Sequence, residues 1–175
     1  AALGMNLTAL RARGGEAVRW DDARSVSVAL EAAVQVLIDT DAPNVAGILP
    51  GSDPALRDEY VVFSAHMDHV GVGTPDTSGD SIYNGADDDA SGTATVVELA
   101  EAFASLEPRP RRSLLFLTVS GEERGLWGSG WFVNHPSVPL EGMVANLNID
   151  MVGRNWSDTI VAIGREHSDL GETLA

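Results

Sequence analysis

Three short runs in this chain carry side chains that can bind a metal ion or move a proton. They are His66-Met67-Asp68-His69, the triplet Asp87-Asp88-Asp89 inside NGADDDASG, and the pair Glu122-Glu123. A fourth candidate, Asp150, ends the run Asn146-Leu147-Asn148-Ile149-Asp150. Residues two apart on an extended segment face the same way, so His66 and Asp68 share a side. A carboxylate there can accept the second N–H of the imidazole, fix its tautomer and raise its basicity as a ligand. Each run also has a plain reading: a hydrogen-bonded core histidine, a turn carboxylate at Asp68, solvated loop charges at Glu122-Glu123, a strand-end hydrogen bonder at Asp150. Three aspartates before an amphipathic segment can simply cap a helix, where carboxylates meet free amides and the positive end of the dipole.

Taken together the residues favour a cation. Hard oxygen donors with one imidazole suit zinc, manganese or cobalt. The carboxylates are too many for one tetrahedral zinc, and two ions roughly 3.5–4 Å apart, bridged by an aspartate, would use them better. Beside such ions the adjacent glutamates can divide their roles, one as ligand and one as proton carrier. The chain has no cysteine, so thiolate sites and disulfides are excluded and His, Asp and Glu must supply the donors. A formal net charge of −15, from 26 acidic against 11 basic residues, opposes binding to nucleic acid or anionic lipid. G-x-S-x-G, H-E-x-x-H, phosphate-binding glycine loops and the calcium-loop pattern are all missing. No apolar run approaches the ~20 residues of a membrane span, and no signal-peptide pattern opens the chain.

The elements that must position these residues are legible from apolar periodicity. Residues 3–13 fit a short helix, and the apolar even positions of 26–38 fit one long strand or a tight hairpin. Short strands follow at 45–49 and 60–65, the second continuously apolar and delivering His66 at its carboxyl end. Residues 70–83 read as a loop. A helix begins near Ala90 or Ser91, with Val96, Val97, Leu99, Ala100 and Phe103 on its apolar stripe. Further strands are expected at 113–119, 143–149 and 158–163, a helix at 125–134, and another from Ser168. Strands alternating with helices predict an α/β fold: a three-layer sandwich around a mixed, mostly parallel twisted sheet, with ligands beyond the carboxyl ends of the parallel strands. Residues 1–24 are read as a segment leading into a domain over 25–175.

AHMDHVG at 65–71, NGADDDASG at 84–92, SGEERGLWGS at 120–129 and NIDMVG at 148–153 resemble the two-zinc aminopeptidases of the bacterial leucyl aminopeptidase and aminopeptidase Y type. Glutamate carboxypeptidase II, glutaminyl cyclase and the transferrin receptor ectodomain are distant relatives. The resemblance spans roughly residues 44–163, with the four motifs in the expected order. It implies a zinc-dependent aminopeptidase acting on peptides with a free N-terminus, secreted or periplasmic like most relatives. It assigns His66, Asp88 and Glu123 to one zinc, Asp88 and Asp150 to the other, Glu122 as general base, and Asp68 as the residue that orients His66. It also implies a cis peptide between Asp88 and Asp89. A glutaminyl-cyclase-like or carboxypeptidase activity and a non-catalytic binding domain are the alternatives on the same scaffold. The family's fifth ligand is a histidine well downstream of Asp150, and neither His167, His69 nor His135 matches its surroundings. The chain is therefore read as lacking the C-terminal part of the domain, with only the first zinc position complete, at most one tightly bound zinc and little activity.

Overall fold

The structure, a computed structural model, describes residues 40–173. The expected helix at 3–13, the strand over 26–38 and the boundary after residue 24 lie outside the described residues. Within them run β1 (Val45–Leu49), β2 (Tyr60–His66), β3 (Gly71–Val72), β4 (Ile82–Tyr83), α1 (Ala90–Ala104), β5 (Ser113–Val119), α2 (Trp127–Asn134), β6 (Met143–Asn148) and the single turn α3 (Leu170–Thr173).

The main sheet has the order β1-β5-β2-β6. β5, β2 and β6 are parallel, and β1 runs antiparallel to β5. This is the mixed, mostly parallel sheet expected from the sequence. β5 (SLLFLTV) is buried almost throughout because both of its faces are covered. Alternate side chains feed two cores. Leu114 and Phe116 join Ala65, Val61 and Phe63 under α1, which contributes Val96, Leu99, Ala100 and Phe103. Leu115, Leu117 and Val119 join Val62 on the opposite face, closed by Phe132 of α2 and by Val138. Helix, sheet and helix thus form three layers. Phe63, Phe103 and Phe116 form a triangular cluster, with Phe63 stacked on the other two at centroid distances of 5.6 and 5.7 Å.

Four sequence expectations are corrected. Val97 is 58% exposed, because at about 100° per residue it leaves the stripe that Val96 occupies. Residues 158–163 form no strand: Asp158 is left-handed, the Thr159 N–H closes a turn onto the Trp156 carbonyl at 3.1 Å, and Ile160, Val161 and Ile163 stay exposed. Alternating apolar residues make a strand only where a neighbouring edge accepts their backbone, and here the turn diverts the chain first. The supposed loop 70–83 contains the ribbon β3-β4, joined around a turn in which the Asp76 carboxylate accepts from the N–H groups of Ser78 and Asp80. The last helix is preceded by a short 3-10 turn at Arg165–His167 and starts at Leu170 rather than Ser168.

Candidate metal centre

Because β2 lies between β5 and β6, three parallel strands end side by side. His66 is the last residue of β2, Glu122 and Glu123 follow β5, and Asp150 follows β6. The sheet is prolonged one step past β6 by the Ile149 N–H bonding to the Ser64 carbonyl at 2.8 Å. The Ser64 hydroxyl lies within hydrogen-bond reach of the amide oxygens of Asn146 and Asn148, which explains the alternating polar residues before Asp150.

The aspartate triplet divides by role. Asp89 is buried and caps α1: Oδ1 accepts from the Gly92 N–H at 2.9 Å and Oδ2 from the His66 N–H at 3.1 Å. Asp87 accepts from the Gly153 N–H at 2.7 Å and from the Ser91 hydroxyl at 3.1 Å. The capping reading is thus right for Asp89, and both flanking aspartates lock α1 to the chain around Asp150. Between them Asp88 faces the strand ends, and the Asp88–Asp89 peptide is cis.

Donor atoms of His66, Asp88 and Asp150 lie within 4.8 Å of one another, as do those of His69, Asp88 and Glu123. His66 Nε2 stands 3.0 Å from Asp88 Oδ1 and 3.8 Å from Asp150 Oδ2. The other oxygen of Asp88 is 3.8 Å from His69 Nδ1, so one carboxylate faces both groups. The expected grouping of Glu123 with His66 is corrected here: Glu123 meets His69, and Asp150 meets His66. The reason is the loop after β5, where Gly121 and Gly125 at φ of 74° and 106° bracket a 3-10 turn and carry Glu123 to the far side of Asp88. Asn44 braces that loop, accepting from the Ser120 N–H at 3.1 Å and donating to the Gly128 carbonyl at 2.7 Å.

His66 is oriented by the backbone carbonyl of Asp68, 2.9 Å from Nδ1, rather than by the Asp68 carboxylate at 3.8 Å. A carbonyl can only accept, so Nδ1 carries the hydrogen and Nε2 presents its lone pair to the cluster. The Asp68 carboxylate instead faces the Glu122 N–H, at a long 3.4 Å. Burial pushes the His66 imidazole down, but the Asp68 carbonyl and the carboxylates of Asp89, Asp150 and Glu122 outweigh it and hold the ring above its ordinary value. The position therefore favours positive charge. Two further observations fit a divalent cation: His69 Nδ1 and Glu123 Oε1 are buried without a hydrogen-bond partner, and a cavity of about 570 Å³ opens beside Asp88, His69 and Met151. Among the described residues no helix is long and apolar enough to cross a membrane.

His69, which the sequence analysis set aside, stands on the loop after β2 and packs against Gly85. That residue, at φ 66°, packs so closely that an added Cβ would come 2.6 Å from the His69 Cβ.

Comparison with known proteins gives a consistent picture. The sequence profile of peptidase family M28 matches residues 44–175. A probable zinc metalloprotease of Leptosphaeria maculans is 37% identical over 118 residues, covering 66% of this chain and 25% of that protein. One from Pyricularia oryzae is 39% identical over 114 residues, covering 63% and 21%. Among solved structures, the aminopeptidase from Aneurinibacillus sp. strain AM-1 superposes with a TM-score of 0.51 at 28% identity, covering 63% of this chain and 24% of that one. The chain thus spans about a quarter of the length of these relatives.

Proposed function

This chain belongs to peptidase family M28, and from that premise we propose that it carries the metal centre of a zinc aminopeptidase that releases N-terminal residues from peptides. The observation that carries the reading is the meeting of His66, Asp88, Asp150 and Glu123 at the ends of three parallel strands. The relatives named as zinc metalloproteases and the fold neighbour named as an aminopeptidase support it. His66 and Asp150 would hold one zinc, Glu123 the second, and Asp88 both. Bound zinc lowers the pKa of a water and polarises a carbonyl.

The protein's own groups do the rest. Glu122 takes the proton of the attacking water as the new C–O bond forms. It then gives that proton to the leaving amine as the peptide C–N bond breaks, so the carboxylate is regenerated. The Asp68 carbonyl sets the ring of His66. A cluster of acidic groups suits the α-ammonium of a free N-terminus. The test is Glu122→Gln in the zinc-loaded protein, assayed on an aminoacyl p-nitroanilide and on its N-acetylated form. Turnover of the free-amine substrate is expected to fall roughly 10²–10⁴-fold with zinc content unchanged, and the acetylated form to resist the wild type. Undiminished turnover removes Glu122 from the chemistry; equal cleavage of both substrates rejects the aminopeptidase reading.

A further inference from the structure

The cavity of about 570 Å³ beside Asp88 is walled on one side by the chain beyond Asp150, and that wall brings in a cation, Arg154. Its volume falls within the ~300–1,000 Å³ usual for small-ligand sites. The backbone ahead of Arg154 is clamped to the start of α1. There the Val152 N–H donates to the Ser91 hydroxyl at 3.1 Å and the Gly153 N–H to Asp87 Oδ1 at 2.7 Å. An added Cβ at Gly153 would come 2.8 Å from that same oxygen. The Arg154 side chain that follows is exposed, and among the described residues no carboxylate pairs with its guanidinium. Arg111 and Arg112, by contrast, are held by Asp53 and Glu59 at 2.8 and 2.6 Å. Asp87 lines the same cavity but does not neutralise Arg154: its Oδ2 is buried without a hydrogen-bond partner.

We propose that Arg154 binds a carboxylate of the substrate and makes the site selective for peptides that carry one within its reach. This rests on the zinc-peptidase reading above and gives it a substrate class. With metal on Asp88, and with Asp87 Oδ1 engaged by the Gly153 N–H and the Ser91 hydroxyl, the guanidinium is the charge that this wall leaves uncompensated. Its planar fork matches a carboxylate through two parallel N–H···O bonds, which a point charge does not offer. Two groups of a peptide supply that chemistry: the C-terminal carboxylate of a very short peptide, or the side chain of an N-terminal aspartate or glutamate. Either leaves the α-ammonium to the acidic groups around the metal centre.

Titration calorimetry on the zinc-loaded Glu122→Gln protein, which holds peptide without turnover, tests the proposal and separates the two sources. One arm compares leucyl-glycyl-glycine with its C-terminal amide. The other compares aspartyl-glycyl-glycinamide with asparaginyl-glycyl-glycinamide. In at least one arm the carboxylate form is expected to bind roughly 10–100-fold more tightly, the worth of a charge-assisted hydrogen bond. Adding Arg154→Ala is expected to bring that ratio close to one, and the arm that responds names the source. Arg154→Gln serves the same comparison if the alanine variant does not fold. Ratios near one in both arms of the parent, or no binding at all, overturn the proposal. A preference that survives Arg154→Ala also overturns it, because the metal would then hold the carboxylate. A merely structural arginine would weaken both ligands of an arm alike and leave their ratio in place, which is the same refutation. The aminoacyl p-nitroanilide carries no C-terminal carboxylate, so the two readings fail separately. Its cleavage together with ratios near one rejects Arg154 alone. Ratios that depend on Arg154, with no cleavage by the wild type, reject the peptidase and leave the carboxylate site standing.

Discussion

Replacing Asp89 by alanine tests how the metal centre is held by the fold. Its carboxylate accepts from the N–H of Gly92 at 2.9 Å, of His66 at 3.1 Å and of Met151 at 3.3 Å, joining the start of α1, the end of β2 and the chain beyond β6. The side chain is 1% exposed, so water does not replace it. Losing the helix cap costs about 1 kcal/mol, and leaving the His66 N–H buried without a partner adds about 1–3 kcal/mol. The Met151 contact lies beyond the usual N–H···O range and counts for little. Against this stands the recovered desolvation of the carboxylate. Burial is the largest influence on Asp89 and holds its pKa above the ordinary range, ahead of the three N–H groups that lower it. The expected net loss is about 2–3 kcal/mol, with a smaller loss for Asp89→Asn, which keeps one acceptor oxygen. Urea unfolding of the metal-free protein, followed by tryptophan fluorescence, measures both. A folded pKa above the unfolded one stabilises below the unfolded value and ceases to do so as pH rises through the folded value. The advantage of wild type over Asp89→Asn should therefore narrow as pH rises from about 3 towards neutrality. A loss under about 0.5 kcal/mol for Asp89→Ala, the range of a plain surface substitution, would refute the idea that this carboxylate binds the start of α1 to the end of β2.

Two other expectations follow from the same geometry. Gly92→Ala should destabilise by about 1–3 kcal/mol, because a Cβ there meets the Ile149 carbonyl oxygen and the Asp89 carboxylate. An unobstructed helical glycine would instead gain stability on this change, so the sign of the shift in thermal midpoint is diagnostic. Asp53 is held below the usual carboxylate range, first by the Ala55 N–H and then by the Arg111 guanidinium. Its stabilising contribution is present above the unfolded pKa and is lost as pH falls through the folded one. In Arg111→Ala an NMR titration should find Asp53 moved up towards its ordinary value; no movement would show that the guanidinium contact is not maintained in solution.

The strand ends were legible because continuous apolar runs such as SLLFLTV announce burial on both faces, and acidic residues directly after them have few structural reasons to be there. That was enough to place His66, Glu122, Glu123 and Asp150 at one edge of the sheet. Which aspartate of the triplet faces the centre was not legible from composition, since Asp87, Asp88 and Asp89 are the same residue in the same run. The division is made by the N–H groups of Gly92 in the helix that follows at once, of His66 at the end of β2 and of Gly153 beyond β6, two of them remote in sequence. The partition of Glu123 towards His69 was missed for a related reason: it depends on two left-handed glycines turning the loop after β5, and a residue's neighbours across a turn are not periodic. The ribbon β3-β4 escaped notice because its strands are only two residues each and its polar turn outweighs them. The apolar residues at 160–163 misled in the opposite direction, since periodicity reports a wish for burial and not the presence of a partner.

The middle position of β2 ties metal capture to the folding of the whole sheet. Ser64 and Asn148 are 84 positions apart yet adjacent in space, two residues before His66 and Asp150 respectively. An unfolded chain has no reason to bring such remote donors together, so the ion would select the folded ensemble and stabilise it by mass action. At a free zinc concentration a hundredfold above Kd that linkage is worth about 2.7 kcal/mol. Chelation should then lower the unfolding midpoint of the entire parallel layer, and not merely loosen the loops that touch the ion.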